Sequence, residues 1–361
     1  MITRPGVRKA GGVDVRQNRD ASLSGAPLVL SVDGGGTATD AWVIDTAGEA
    51  VLKLRVGPLS VKSTSAEAVR GVFGELARAL SAVSLSFDDF ALTVWGLSGL
   101  DTAQTHAVYE RLLDDAGVPR ARRLVVNDAV LPLFAAGRET GVVLVAGTGS
   151  IALGIDGTGT VRRAGGWGYA ASDGGSGYWI GRAALAYTLR CADGIERDDG
   201  LAVAVARAYG APSTEALKRI AADGLDPVSI AAGARTVLEH EGSEAAREIM
   251  RAAAGLLADL VTACALGKAE APSTCDRAPV PVIFSGGLFT SATFESFVRE
   301  AVLTRWRERG CVGTADVQRV GQPPVWGGAV LARHVLAGRR PFDRWLAGEV
   351  SIGWVEGEAR R

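Results

Sequence analysis

Apolar positions along the chain follow two patterns. Short runs closed by glycine or Asx residues read as buried strands, and three-to-four spacing reads as amphipathic helix. The first run, Leu28–Val32, ends in Asp33 and three glycines. Asp40–Asp45 follows, and Ala47-Gly48-Glu49 supplies the turn into Val51–Val56, which predicts an antiparallel meander. From Ser65 to Val83 the apolar positions are Val69, Val72, Phe73, Leu76 and Leu80, a helix with Ser65 available as its N-cap. Phe90–Leu97 reads as a strand and Thr102–Ala116 as a helix. Arg123–Val126 is a strand ending at Asn127-Asp128, and Asp128–Ala136 is helical despite Pro132.

The pattern then repeats. Val142–Ala146, the turn Gly147-Thr148-Gly149-Ser150, a strand to Ile155, and a third short strand after Asp156-Gly157 form a second meander. From Gly174 to about Gly267 the spacing is helical; Val280–Phe284 is a strand leading into Ser285-Gly286-Gly287. A helix from Ala292 and a last one over Val325–Leu336 complete the order. A meander followed by helix-linked strands, occurring twice, implies two α/β domains of related topology. Their expected extents are 27–136 and 137–361, the second carrying the helical elaboration and the C-terminal helix. Residues 1–26, rich in Gly, Arg, Asp and Ser, read as a disordered extension. Ligands of such sheets bind at loops off the strand ends, so the expected site is a cleft between the domains.

Composition narrows the function. The 361 residues are 47% hydrophobic and 22% charged with a net charge of -1, which gives no field for recruiting nucleic acid or an anionic membrane. No uninterrupted apolar stretch reaches the roughly 20 residues of a spanning helix. The N-terminus has no apolar core of a secretory signal, so the expected location is cytoplasmic. Four scattered cysteines and three histidines lack metal-ligand spacing.

The chemistry concentrates at five stations. In Asp33-Gly34-Gly35-Gly36-Thr37-Ala38-Thr39, three glycines let backbone N–H groups face an anion, and Thr37 and Thr39 add hydroxyls. Asp33 suits Mg²⁺, which takes few carboxylates alongside phosphate oxygens. Gly147, Thr148, Gly149 and Ser150 repeat that chemistry in the second meander, so the pair reads as a clamp on a triphosphate. Neither loop is a P-loop, since no Gly-Lys-Ser/Thr follows the glycines. Asp128 ends an apolar strand, where it could serve as the base for an attacking hydroxyl or equally as a helix N-cap. The segment from Gly165 to Gly181 holds Trp167 and Asp173 among many glycines, offering a sugar an apolar face, a carboxylate and backbone donors. Gly286 and Gly287 would let a flat base or ribose approach the backbone.

In this order and spacing the stations resemble the N-acetylglucosamine kinase family. They also resemble its relatives, the glucosamine kinases and the ATPase activators of benzoyl-CoA-type reductases, all within the actin, hexokinase and heat-shock ATPase superfamily. The resemblance covers most of Leu28 to about Leu336. It implies two ribonuclease H-like (actin-like ATPase) domains, ATP and Mg²⁺ as cofactors, and an amino sugar phosphorylated at its 6-hydroxyl. It further implies Gly286 and Gly287 as the adenosine loop, Asp128 as catalytic base, and Asp128, Thr148, Gly166, Trp167 and Asp173 as acceptor contacts. A homodimer is expected, with no nucleic acid or membrane partner. Two departures fall on the acceptor side. Ser172-Asp173-Gly174-Gly175-Ser176 stands where the family has Gly-Asp-Glu-Gly-Ser, and Gly57-Pro58-Leu59-Ser60-Val61 lacks the family's sugar-contacting Asn. Two rival functions are an ATPase that activates a partner enzyme and a sugar- or nucleotide-binding regulator without catalysis. The first would share an iron–sulfur cluster between subunits, and no cysteine adjoins a phosphate loop in the sequence.

Overall fold

The computed structural model describes residues 8–10, 13–17, 27–45, 48, 50–100, 102–157, 161–266, 279–309 and 315–339. The chain divides into two compact units. One comprises the chain up to Thr140, Ile155–Val161 and the part from Val320 on; the other comprises Gly141–Gly154 and Arg162–Arg319.

The first unit contains β1 (Arg8–Ala10), β2 (Val13–Gln17), β3 (Leu28–Gly34), β4 (Thr39–Asp45), β5 (Ala50–Val56), α1 (Ala66–Ser81), β6 (Phe90–Leu97), α2 (Ala103–Asp115), β7 (Arg123–Asn127) and α3 (Leu131–Ala135). Its sheet runs β1-β2-β5-β4-β3-β6-β7. The meander pairs antiparallel, while β3, β6 and β7 are parallel to one another. The apolar stripe of α1 is buried as Val69, Val72, Phe73, Leu76 and Leu80, and the Ser65 side chain caps its N-terminus by accepting from the Ala68 N–H. Trp95 is wholly buried between Phe73 and Phe87, and its indole N–H donates to Thr93 Oγ1 at 2.8 Å.

The second unit contains β8 (Gly141–Ala146), β9 (Ser150–Ile155), β10 (Val161–Gly165), α4 (Gly177–Ala192), α5 (Leu201–Ala208), α6 (Thr214–Ala222), α7 (Pro227–Ala232), α8 (Ala234–Glu239), α9 (Glu244–Leu266), β11 (Val280–Ser285), α10 (Ala292–Glu308) and β12 (Ala315–Arg319). Its strand order, β10-β9-β8-β11-β12, reproduces β5-β4-β3-β6-β7 of the first unit, with β11 parallel to both β8 and β12. Among the described residues α9 alone is long and apolar enough to cross a membrane. Its Ala246, Met250, Ala253, Leu257 and Val261 are instead buried in this unit's core.

Three features depart from the expectations. Within residues 1–26, read as a disordered extension, β1 and β2 are strands, and β2 pairs antiparallel with β5. The reason is the open edge of β5, whose unpaired backbone groups accept another strand even from a charged segment. The strand β12 was not foreseen because its sequence, Ala-Asp-Val-Gln-Arg, is short and polar, as suits a sheet edge. The last helix, α11 (Pro324–Leu336), was expected with the second domain but belongs to the first unit. Glycine permits this. A Cβ at Gly327 would lie 1.9 Å from the Leu131 carbonyl oxygen, and one at Gly328 would lie 2.1 Å from Ser31 Oγ.

Candidate active site

In the first unit, parallel register brings three strand ends to one sheet edge. Asp33 pairs with Gly96 and Gly96 with Val126, while Gly34 pairs with Leu97 and Leu97 with Asn127. The loop after β3, the loop after β6 and Asp128 therefore leave the sheet side by side. The Gly35 N–H donates to the Ala38 carbonyl at 3.1 Å and closes the first loop. Gly34 is buried, and a Cβ there would stand 2.9 Å from Leu97 Cδ2 and 3.0 Å from Leu59 Cβ, so close packing demands that glycine. Gly36 and Thr37 form the exposed tip, and Ser63 Oγ donates to the Gly36 carbonyl at 3.1 Å. Thr39 lies elsewhere. It sits within β4, paired with Gly34 and Val56 and fully buried, so its hydroxyl does not reach the loop surface.

Asp128 is the first residue of a short 3₁₀ turn, and the cap of that turn is Asn127, whose Oδ1 accepts from the Ala129 N–H at 3.0 Å. The capping role open to Asp128 in the sequence is thus filled by its neighbour. Asn127 also donates through Nδ2 to the Leu100 carbonyl at 3.1 Å, and the Ser98 N–H donates to the Gly34 carbonyl at 2.9 Å. The loop after β6 thereby links the glycine loop to the residue beside Asp128. Asn127 and the Ser98–Leu100 loop were missed by the sequence reading. Asn127 was findable, as an Asx residue at a strand end; the loop acts through its backbone and leaves no side-chain trace.

Asp33 is half-buried, and burial, reinforced by the negative charges of Asp128 and Asp40, pushes its pKa up to about 8, with Arg55 opposing. Among the described residues no three His, Cys, Asp or Glu side chains group as a metal site. Mg²⁺ needs only one or two carboxylates with substrate phosphates and water, and a carboxylate crowded by like charge is a donor that a cation relieves. Asp33 fits. Because the folded chain keeps a proton that the unfolded chain loses, this residue's contribution to stability falls as pH rises from the usual value of 3.8 to about 8. Asp33→Asn is expected to raise the melting temperature in chelating buffer more at pH 8 than at pH 5. Equal shifts at both values would contradict this.

In the second unit, the parallel strands β8 and β11 pair Val145 with Ser285, so Gly147–Gly149 and Gly286–Gly287 leave neighbouring strand ends. A Cβ on Gly286 (φ 105°) would fall 2.3 Å from the Ala146 carbonyl oxygen, which ties the two loops closely. The β8–β9 turn rests on the start of α4. The Gly177 N–H donates to the Gly147 carbonyl at 2.7 Å and the Tyr178 N–H to the Thr148 carbonyl at 3.1 Å. The turn is thus fixed to the first turn of α4, which leaves Thr148 exposed at its tip. Ser150 is buried, and its hydroxyl donates inward to the Gly174 carbonyl at 2.9 Å. It braces the turn rather than lining its tip.

The acceptor segment joins the same place. A Cβ on Gly149 would meet Asp173 Oδ2 at 2.9 Å, so this buried carboxylate packs on the second glycine loop, with Asp173 itself at a left-handed φ of 60°. Such a backbone costs an Asp about 1–3 kcal/mol and is held by its surroundings. The Gly166 N–H donates to the Ser150 carbonyl at 2.8 Å. Trp167 is 68% exposed, and the Arg163 guanidinium lies 4.2 Å from its ring centre while donating to the Gly165 and Gly166 carbonyls. Arg163, which holds the aromatic face in place, was not singled out from the sequence. Gly174, where the family's Glu was expected, faces Leu256 at 3.4 Å from a would-be Cβ. In the first unit Ser60, the residue standing where the family has its Asn, is buried next to the fully buried Leu59, so that position presents no side chain at the surface.

The comparisons agree with this architecture. The model of the BadF/BadG/BcrA/BcrD ATPase family matches residues 30–312. The N-acetylmuramic acid/N-acetylglucosamine kinase of Clostridium acetobutylicum is 32% identical over 168 residues, 46% of this chain and 54% of that protein. The N-acetyl-D-glucosamine kinase of Dictyostelium discoideum is 27% identical over 176 residues, 46% of this chain and 55% of that protein. The chain thus aligns with about half the length of each of these two relatives. The crystal structure of a protein from Chromobacterium violaceum, provisionally named N-acetylglucosamine kinase, superposes with a TM-score of 0.63 at 23% identity. That match covers 85% of this chain and 99% of the other, and it establishes the two-domain actin-like ATPase fold. With its family model spanning both units, this chain belongs to the BadF/BadG/BcrA/BcrD ATPase family.

Proposed function

We propose that this chain is an ATP-dependent kinase that phosphorylates an amino sugar, N-acetylglucosamine or glucosamine, at its 6-hydroxyl. The observation that carries the reading is the repetition of a glycine-rich tip at corresponding sheet edges of two units, with Asp128 beside the first. Two loops of backbone donors match the phosphates of a nucleotide; a strand-end carboxylate matches an alcohol acceptor.

In this reading Gly35, Gly36 and Thr37 of the first unit and Gly147, Thr148 and Gly149 of the second bind phosphate oxygens. Gly286 and Gly287 admit the adenosine. Asp33 would hold Mg²⁺, which when bound neutralises charge on the transferring phosphoryl group. Asp128 orients the sugar hydroxyl and takes its proton. Trp167 covers an apolar face of the ring, and Thr148, Gly166 and Asp173 receive its hydroxyls. The names of the two curated relatives support an amino sugar as acceptor.

Trp167→Ala is expected to raise the acceptor KM roughly 10-fold, the equivalent of about 1.4 kcal/mol, with nucleotide affinity unchanged. Steady-state kinetics in each substrate checks it, and an unchanged acceptor KM would remove Trp167 from the site. The reading as a whole is tested by ATP consumption with N-acetylglucosamine, glucosamine, N-acetylmannosamine, glucose, and no acceptor. Stimulation by an amino sugar supports it. A rate indifferent to every acceptor would favour the partner-activating ATPase, which the family description also accommodates.

A further inference from the structure

The hydroxyl of Tyr109, a fully buried residue of α2, meets three backbone groups from two loops. It lies 2.6 Å from the Ser98 carbonyl and 3.1 Å from that of Leu59, and it accepts from the Val61 N–H at 3.0 Å. A phenol has one proton to give and lone pairs to receive, so its hydrogen-bonding capacity is used on these backbones. Packing alone would be served by Phe. The two loops also touch directly, since a Cβ on Gly99 would come within 3.0 Å of Lys62 Cγ.

Both loops lead to the candidate site. Ser98 donates its N–H to the Gly34 carbonyl, Leu59 fills the space under Gly34, and Leu100 receives Asn127, the residue before Asp128. The helix carrying Tyr109 is itself fixed at the far end of β7. There the buried Arg123 donates to the Val118 carbonyl at 2.9 Å, pairs with Asp114 at 2.9 Å, and pairs with Glu110. One end of α2 thus grips the start of β7, while Tyr109 grips the loops beside its finish.

We propose that Tyr109 is a positioning residue, whose hydroxyl sets the Leu59–Val61 and Ser98–Leu100 loops against the first glycine loop and Asp128. This rests on the kinase reading above.

The test compares the full-length chain with Tyr109→Phe, which keeps the ring, and with Leu80→Ala, which destabilises α1 away from the site. Amide exchange at Val61 should accelerate at least about 10-fold in Tyr109→Phe and stay slow in Leu80→Ala, since a lost partner exposes that N–H. In the same variant kcat/KM for the acceptor should fall about 10-fold, with nucleotide Kd changed less than about 2-fold. Leu80→Ala should keep wild-type kinetic constants. Unchanged Val61 exchange, unchanged acceptor kcat/KM, or an equal kinetic loss in Leu80→Ala would each overturn the positioning role. Wild-type chain without acceptor-dependent turnover would overturn the kinase reading itself, and this role with it.

Discussion

Asp128→Asn is expected to lower turnover by about 10²–10⁴-fold, the usual worth of a positioned base, while nucleotide binding persists. Asn is nearly isosteric, and the 3₁₀ turn it would occupy is capped by Asn127, so the local fold has no reason to change. What disappears is a group able to take the proton of the attacking hydroxyl. The negative charge of Asp128 also bears on Asp33, so its loss should leave affinity for a nucleotide unchanged or improved. Isothermal titration with a non-hydrolysable ATP analogue and a coupled turnover assay separate the two effects. Turnover within about threefold of wild type would remove Asp128 from the catalytic role.

The second large effect is expected from Gly327→Ala, far from any substrate. The methyl would sit 1.9 Å from the Leu131 carbonyl oxygen and 2.8 Å from the Ala135 nitrogen, both backbone atoms of α3. No rotamer change can relieve that, so α11 must move off α3. Overpacking of a close-packed interior costs on the order of 3 kcal/mol, which corresponds to a fall in melting temperature of roughly 6–12 °C. α3 begins directly after the turn that holds Asp128, so kcat should fall along with stability. Gly328, where the obstacle is the Ser31 hydroxyl and a side-chain methyl of Val94, should tolerate alanine better. A Gly327→Ala protein with wild-type melting temperature would show that α11 does not pack as described.

Much of this molecule was legible in its sequence because the relevant forces are local. Val29, Leu30 and Val32 are buried and had to be, and glycine after such runs could only be a turn. Repetition of that pattern gave the two sheets with matching strand order. What escaped depended on partners distant in sequence. β2 exists because β5 offers an edge, and α11 lies in the first unit because two glycines let it approach α3 and β3. The glycine loops were visible as composition, but their division of labour was not. Gly34 and Ser150 serve packing, Thr39 belongs to a strand, and the exposed tips are Gly36-Thr37 and Thr148. The closeness of Asp173 to Gly149, which joins the acceptor segment to the second glycine loop, was likewise invisible in the sequence. Tyr109 had no sequence cue at all, since its hydroxyl acts on backbone groups 50 and 11 residues upstream, in two different loops.

The central claim is that phosphorus leaves ATP for a sugar oxygen, not for water. Phosphorus-31 spectra of the full chain with MgATP and N-acetylglucosamine, and separately with glucosamine, test it most directly. The account predicts ADP together with a sugar phosphomonoester coupled to the C6 protons, at a rate about 10²–10⁴-fold lower in Asp128→Asn. ADP accompanied by inorganic phosphate alone, with or without either sugar, would contradict it.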